Sequence, residues 1–302
     1  MLPPSGDQFE IAAAGYRAVV TESGAALRVL EHDGRPLVAG FPEDAMADGG
    51  RGQILMPWPN RIRDGRYDHD GTSYQLAHTE PARANASHGL ARWVAWTLEE
   101  HTDHSVSLRY RCMAQAGYPW TLDLAVVYDL SADGLTVTQS ALNQAASSAP
   151  YASGAHPYLC VGDGLVDDWE LLLPARTRYV LDERLLPVGR ESVEGTPVDF
   201  RVPRPIRDLD LDAAFTDLAR DEEGRSTVEL RDPSTGAGVA VWLDAHHHVV
   251  QLFTARGNPA TERRSLAIEP MTAPADAFNS GEHLVVLAPG EEFAATWGVR
   301  AV

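Results

Sequence analysis

The chain has 302 residues, with 25 Lys and Arg against 43 Asp and Glu, for a formal charge of −18. That field opposes phosphate backbones and anionic lipid surfaces, which excludes nucleic acid and membrane as partners. At 44% hydrophobic and 23% charged the composition supports a buried core rather than disorder. No stretch reaches the ~18 consecutive apolar residues of a membrane span, and the opening residues lack a basic region followed by an apolar one, so one cytoplasmic domain over residues 1–302 is expected.

Period-two alternation recurs from end to end, and no long stretch keeps apolar residues at i, i+3, i+4 and i+7. In chain order the first segment with chemical content is Met56-Pro57-Trp58-Pro59-Asn60-Arg61-Ile62-Arg63-Asp64-Gly65-Arg66-Tyr67. Two prolines restrict the backbone ahead of Asn60, and the loop presents an amide and a guanidinium suited to a polyhydroxylated ligand. An ordinary surface loop is the alternative. In Asn85-Ala86-Ser87-His88-Gly89-Leu90-Ala91-Arg92-Trp93, His88 lies among small residues, where a lone histidine is usually structural.

Residues 105–110 alternate as a strand, and Leu122, Leu124, Val126 and Tyr128 share one strand face. Ser131-Ala132-Asp133-Gly134 supplies turn chemistry, and Leu135, Val137 and Gln139 alternate beyond it, which predicts an antiparallel hairpin. Ser153-Gly154-Ala155-His156-Pro157-Tyr158-Leu159 follows. Pro157 disfavours helix at His156, whose imidazole has an unperturbed pKa near ~6.5 and can donate or accept a proton at neutral pH. Pro203-Arg204-Pro205 shapes a loop, and further strands are expected at 239–243, 249–254 and 293–299. Between them His246-His247-His248 cannot place three imidazoles on one metal ion, because neighbours on a strand point to opposite faces. Glu269 is expected to end a short apolar strand with Pro270 pinning the chain behind it, and a held carboxylate is a candidate general base.

With 25 Gly and 20 Pro punctuating the chain, and no series of crossover helices, the fold class is all-β, a large antiparallel sandwich. Cys112 and Cys160 are too few and too far apart for a zinc ribbon or disulfide framework. No H-E-x-x-H, G-x-S-x-G or Walker loop occurs, and Gly49, Gly50 and Gly52 lack dinucleotide spacing.

Together and in this order, the clusters resemble the aldose 1-epimerase (galactose mutarotase) family over most of the chain. Asn60-Arg61 is similar to its substrate motif, His88-Gly89 to its first histidine motif, and His156-Pro157-Tyr158 to the segment carrying its acid. Leu211-Asp212-Ala213-Ala214-Phe215 resembles its Asp-x-x-Phe segment, Val250-Gln251-Leu252-Phe253-Thr254 its glutamine strand, and Glu269 falls where it places its base, ahead of a Pro-x-x-Phe-Asn-like stretch at 274–279. The resemblance implies a galactose mutarotase-like supersandwich and a cofactor-free, metal-free isomerase that interconverts the α and β anomers of a free aldose. It implies His156, Glu269 and His88 as catalytic residues and Asn60, Arg61, Tyr158, Asp212 and Gln251 as sugar contacts. The partner implied is a small-molecule sugar, and the chain is a monomer or homodimer.

The residues after His88, around His156 and after Glu269 depart from the galactose-specific pattern, so galactose does not follow. Three other readings remain. A hexose-6-phosphate 1-epimerase would use Arg61, Arg63 and Arg66, a glycosidase would pair Glu269 with Asp212 or Asp276, and a non-catalytic carbohydrate-binding protein would leave anomer exchange unaccelerated. The negative charge favours a neutral sugar, although a local arginine cluster can reverse the potential in one cleft.

Overall fold

A strand with one face on a core buries every second side chain, and the hairpin built from Leu122–Ser131 and Gly134–Asn143 follows that rule along its length. Ser131 pairs with Gly134 across the turn. Glycine is required there: φ is +100°, and a Cβ would lie 2.4 Å from the Val299 carbonyl oxygen. The computed structural model describes residues 2–255 and 262–302, and among them the hairpin lies inside a nine-stranded antiparallel sheet. Its order is Thr97–His101, Ser105–Cys112, Leu122–Ser131, Gly134–Asn143, Glu292–Ala301, Gly238–Leu243, Ser226–Arg231, Glu170–Leu172 and Arg204–Pro205.

An eight-stranded antiparallel sheet faces it. Its main path runs Pro187–Ser192, Ala175–Leu181, Asp212–Leu218, Val249–Phe253, Leu266–Met271, Gly154–Ala155 and Ile54–Leu55, with Tyr158–Leu159 also paired to Leu266–Met271. Val126, Val137 and Trp297 from the first sheet pack in one hydrophobic core with Phe215, Leu252 and Ile268 from the second. Hydrogen bonds also cross the interior: Gln139 donates to the Gly154 carbonyl at 3.0 Å, and the Trp297 indole donates to Gln139 at 3.0 Å. The architecture is the all-β antiparallel sandwich expected from the alternation, with a smaller four-stranded sheet from residues 8–36 at its side. Among the described residues no helix is long and apolar enough to cross a membrane.

The eight-stranded sheet carries side chains of consequence on both faces. Leu266, Ile268, Val250, Leu252 and Phe215 point into the shared core, so Glu269, Gln251 and Asp212 at alternating positions point the other way. Gln251 pairs directly with Glu269, and Asp212 pairs with Phe253, one diagonal step from Gln251. Register alone therefore groups three polar side chains on one face of three adjacent strands.

The expectation that Glu269 ends its strand is corrected: Leu266–Met271 continues through Pro270, and every residue in it is buried. The reason is where the missing N–H falls. On the side facing residues 153–159, Ile268 donates to the Pro157 carbonyl and Thr272 to the Ser153 carbonyl, so Pro270 lies opposite the break between Gly154–Ala155 and Tyr158–Leu159. No ladder bond is needed there, and at this break His156 is bonded instead to the Gly52 and Gln53 backbone.

Candidate active site

Two strained loops and the polar sheet face enclose a pocket of about 550 Å³. Asn60 and His88 both have positive φ, +53° and +61°, in a region that costs a non-glycine residue of order 1–3 kcal/mol. They hold each other: the His88 N–H donates to the Asn60 carbonyl at 2.8 Å, and the Asn60 N–H donates to His88 Nδ1 at 3.2 Å. Beneath them Arg61–Arg63 pairs with Asn85–Ser87, Trp58 packs edge-on to Phe278, and a Cβ on Gly89 would strike the Met56 carbonyl at 2.1 Å. Because Nδ1 accepts a backbone proton, neutral His88 carries its own proton on Nε2 and can donate a hydrogen bond. Burial and the nearby charge of His156 hold its pKa well below the ordinary value, although part of the side chain remains open to the pocket.

At the floor His156 and Glu269 are both buried, with Nε2 3.3 Å from Oε1. His156 Nδ1 and Glu269 Oε2 have no hydrogen-bond partner among the described residues. Burial pushes the Glu269 carboxyl well above the carboxylate range, with the Asp212 charge acting in the same sense and Arg61 against it. Burial pushes His156 below its ordinary value, with Arg92 and Arg61 adding to the shift. Burial therefore favours the neutral forms of both.

The ring behind His156 is Tyr158, stacked at 5.0 Å and 10°. Its place as a sugar contact is corrected, because its hydroxyl donates to the Gly49 carbonyl at 2.9 Å and it does not line the pocket. In front lies Gly50, with φ +78°, where a Cβ would stand 2.9 Å from His156 Cδ2. The wall is a hydrogen-bonded chain. Gln251 donates to Asp212 at 2.6 Å, and Arg61 donates to Asn60 at 3.2 Å and clamps Glu80 through two bonds of 2.8 and 3.1 Å. Burial raises the Asp212 pKa, with Arg61 opposing.

The remaining charged residues singled out from sequence lie elsewhere. Arg63 pairs with Asp182 and Asp276, and exposed Arg66 bonds Ser73, so the Arg61, Arg63, Arg66 cluster does not converge on the pocket. His247 is buried on Asp244, His248 stacks on His283 and His246 packs against Phe293. Cys112 and Cys160 are buried free thiols, their pKa values pushed by burial up to about 11 and about 12.

With that geometry described, comparison with known proteins places the chain. The family model for aldose 1-epimerase matches residues 7–300. The chain belongs to the aldose 1-epimerase family. It is 33% identical to the uncharacterised protein YihR of Escherichia coli K12, over 95% of this chain and 91% of that protein. Similar solved structures include a GalM/aldose epimerase homologue from C. elegans (21% identity, TM-score 0.87, 98% of both chains). A galactose 1-epimerase from Lactobacillus acidophilus is also similar (21% identity, TM-score 0.80, 95% of this chain and 92% of that one).

Against this family background the pocket gathers His88, His156, Glu269, Asn60, Arg61, Asp212 and Gln251, and adds residues that sequence reasoning missed: Glu80, Arg92, Trp93, Thr79, Asp48 and Gly50. The adjacent glycines 49 and 50 were the visible signal for the last, once dinucleotide binding was set aside. Glu80 carries no local signal, since its role exists only through contact with Arg61.

Proposed function

We propose that the protein is an aldose 1-epimerase that opens and recloses a cyclic sugar between Glu269 and His156. The observation that carries this reading is the buried contact of 3.3 Å between the two side chains at the floor of the pocket. Mutarotation removes the proton from the anomeric hydroxyl and supplies one to the ring oxygen. The C1–O5 bond breaks as C1 becomes a carbonyl, C1–C2 rotates, and O5 adds back to the other face. Ionised Glu269 takes the hydroxyl proton, protonated His156 gives one to O5, and closure reverses both transfers.

The electrostatics suit that cycle. With one shared proton the pair exists as carboxylate and imidazolium or as carboxylic acid and imidazole, and burial favours the second form. That is the form reached while the sugar is open, so ring opening discharges a buried ion pair and closure restores it. Arg61 counters the effect of burial on Glu269 and favours the ionised base that the cyclic sugar meets. The Nε2–H of His88 and the guanidinium of Arg61 are donors for sugar oxygens, while Asp212, Gln251 and Asn60 supply acceptors and amides for hydroxyls.

General acid and base terms of roughly 10²–10⁴ each are expected. Exchange NMR between anomers should accordingly show Glu269→Gln and His156→Ala each slowing exchange by at least about 10²-fold in folded protein. Near-normal exchange in either variant removes that residue from its role. Saturable sugar binding with no acceleration in the unaltered protein would turn the reading to a carbohydrate-binding protein.

A further inference from the structure

Among the described residues, the arginines around the pocket are matched to acids with one exception. Arg61 and Arg83 share Glu80, Arg51 pairs with Asp48, and Arg63, just outside, is taken by Asp182 and Asp276. Arg92 lines the pocket and has no ion-pair partner among the described residues. Its position is fixed by neighbours that leave its charge uncompensated. The Arg92 carbonyl accepts a hydrogen bond from Gln53 at 2.6 Å, and its guanidinium lies 5.4 Å from the Trp93 ring centroid. Burial lowers its pKa, and its charge is felt at both His88 and His156.

An arginine stays charged at any physiological pH, and withdrawing an unpaired charge from water is costly. In a protein of net charge −18, acids to pair with it are abundant, yet none among the described residues does. A ligand that brings its own negative charge would offset that cost, and the planar fork of a guanidinium suits two oxygens of one oxyanion. The face of Trp93 holds the fork from one side, and Trp93 is itself half exposed at the pocket.

We infer that Arg92, backed by Trp93, is a subsite for an oxyanion substituent, so that the preferred substrate is an anionic aldose rather than a neutral one. The inference rests on the mutarotase reading for its chemistry and on Arg92 alone for its specificity. It reverses the expectation drawn from overall charge, because the Arg92 guanidinium, unpaired among the described residues, sets the local potential where the sugar binds. One guanidinium matches one charge, which favours a carboxylate over a phosphate dianion.

The test is anomer exchange by NMR with glucose, galactose, glucuronate, galacturonate and glucose 6-phosphate, on the unaltered protein, Arg92→Gln and Arg92→Lys. The better anionic sugar should exceed its neutral counterpart in kcat/KM by at least about tenfold, Arg92→Gln should reduce that ratio about tenfold or more, and Arg92→Lys should lie between. If Arg92→Gln does not fold, judged by its thermal midpoint, the lysine variant supplies the comparison. A preference for glucose 6-phosphate with the same dependence on Arg92 keeps the subsite and assigns it to phosphate. A ratio near one in the unaltered protein, or a ratio that Arg92→Gln leaves intact, overturns the inference. If no sugar exchanges faster than in buffer, titration followed by tryptophan fluorescence separates the two readings. Saturable binding of an anionic sugar that Arg92→Gln abolishes keeps the subsite and overturns the mutarotase, while absence of binding overturns both.

Discussion

The hairpin of Leu122–Ser131 and Gly134–Asn143 and the strand Leu266–Met271 are both antiparallel, and both contribute to one core. In the hairpin burial alternates, and Asp123, Asp129, Thr136, Thr138 and Ser140 are among the partly exposed outward positions. In the second strand all six residues are buried, and a carboxylate stands in the middle, 3.3 Å from the histidine that faces it. Burial alternates where a strand needs a core on one side only, and is complete where the outward face carries a pocket whose carboxyl and imidazole are held toward their neutral forms.

The largest effect expected from this contrast is in the hairpin. Leu124 is fully buried opposite Ala141, a residue too small to fill a void beside it. Leu124→Ala should cost about 2–5 kcal/mol in denaturant unfolding, while anomer exchange per folded molecule stays unchanged. A fall in exchange for the folded fraction would mean that the two regions are not separable.

The converse change should stabilise. The Glu269 pKa is raised on folding, so the unfolded chain ionises first as pH rises above about 4.5, the ordinary value for a glutamate. Stability that is complete below that pH is lost as pH climbs toward the folded value, at a rate of up to about 1.4 kcal/mol per pH unit. Glu269→Gln removes the ionisation, and its unfolding free energy should pull above that of the unaltered protein between pH 5 and 7, by about 1 kcal/mol or more. Parallel stability curves across that range would show that Glu269 is not held neutral and would break the contrast at its centre.

These two regions were unequally legible in the sequence. The hairpin could be read residue by residue, turn included, because alternation and turn chemistry are local signals. The segments that line the pocket were legible as motifs, but their geometry was not. Pro270 looked like a strand end, since the cost of a missing N–H depends on which neighbour it faces, and that neighbour lies more than a hundred residues away in the chain. Tyr158 looked like a sugar contact because its hydroxyl was visible and its acceptor, the Gly49 carbonyl, was not. Arg63 and Arg66 stood out by proximity along the chain, whereas Arg92, within a segment already singled out, lines the pocket and has no acidic partner among the described residues, which are tertiary facts.

The smallest expected effect concerns Glu80, which touches no reacting atom and acts through Arg61. Its two bonds to the guanidinium, together with those from Arg83 at 2.8 Å and Asn85 at 3.3 Å, fix a side chain that would otherwise sample many rotamers. The clamp is mostly shielded but not sealed from water, which limits its worth. Glu80→Gln keeps the shape and removes the charge, so Arg61 should remain in the pocket but lose its orientation. Saturation exchange kinetics should show KM rising about three- to tenfold with a smaller change in kcat, since a loosened binding group weakens cyclic and opening sugar alike. A loss confined to kcat would instead place Arg61 among the groups that act on charge developing during ring opening, and would draw Glu80 into the chemistry from which its position separates it.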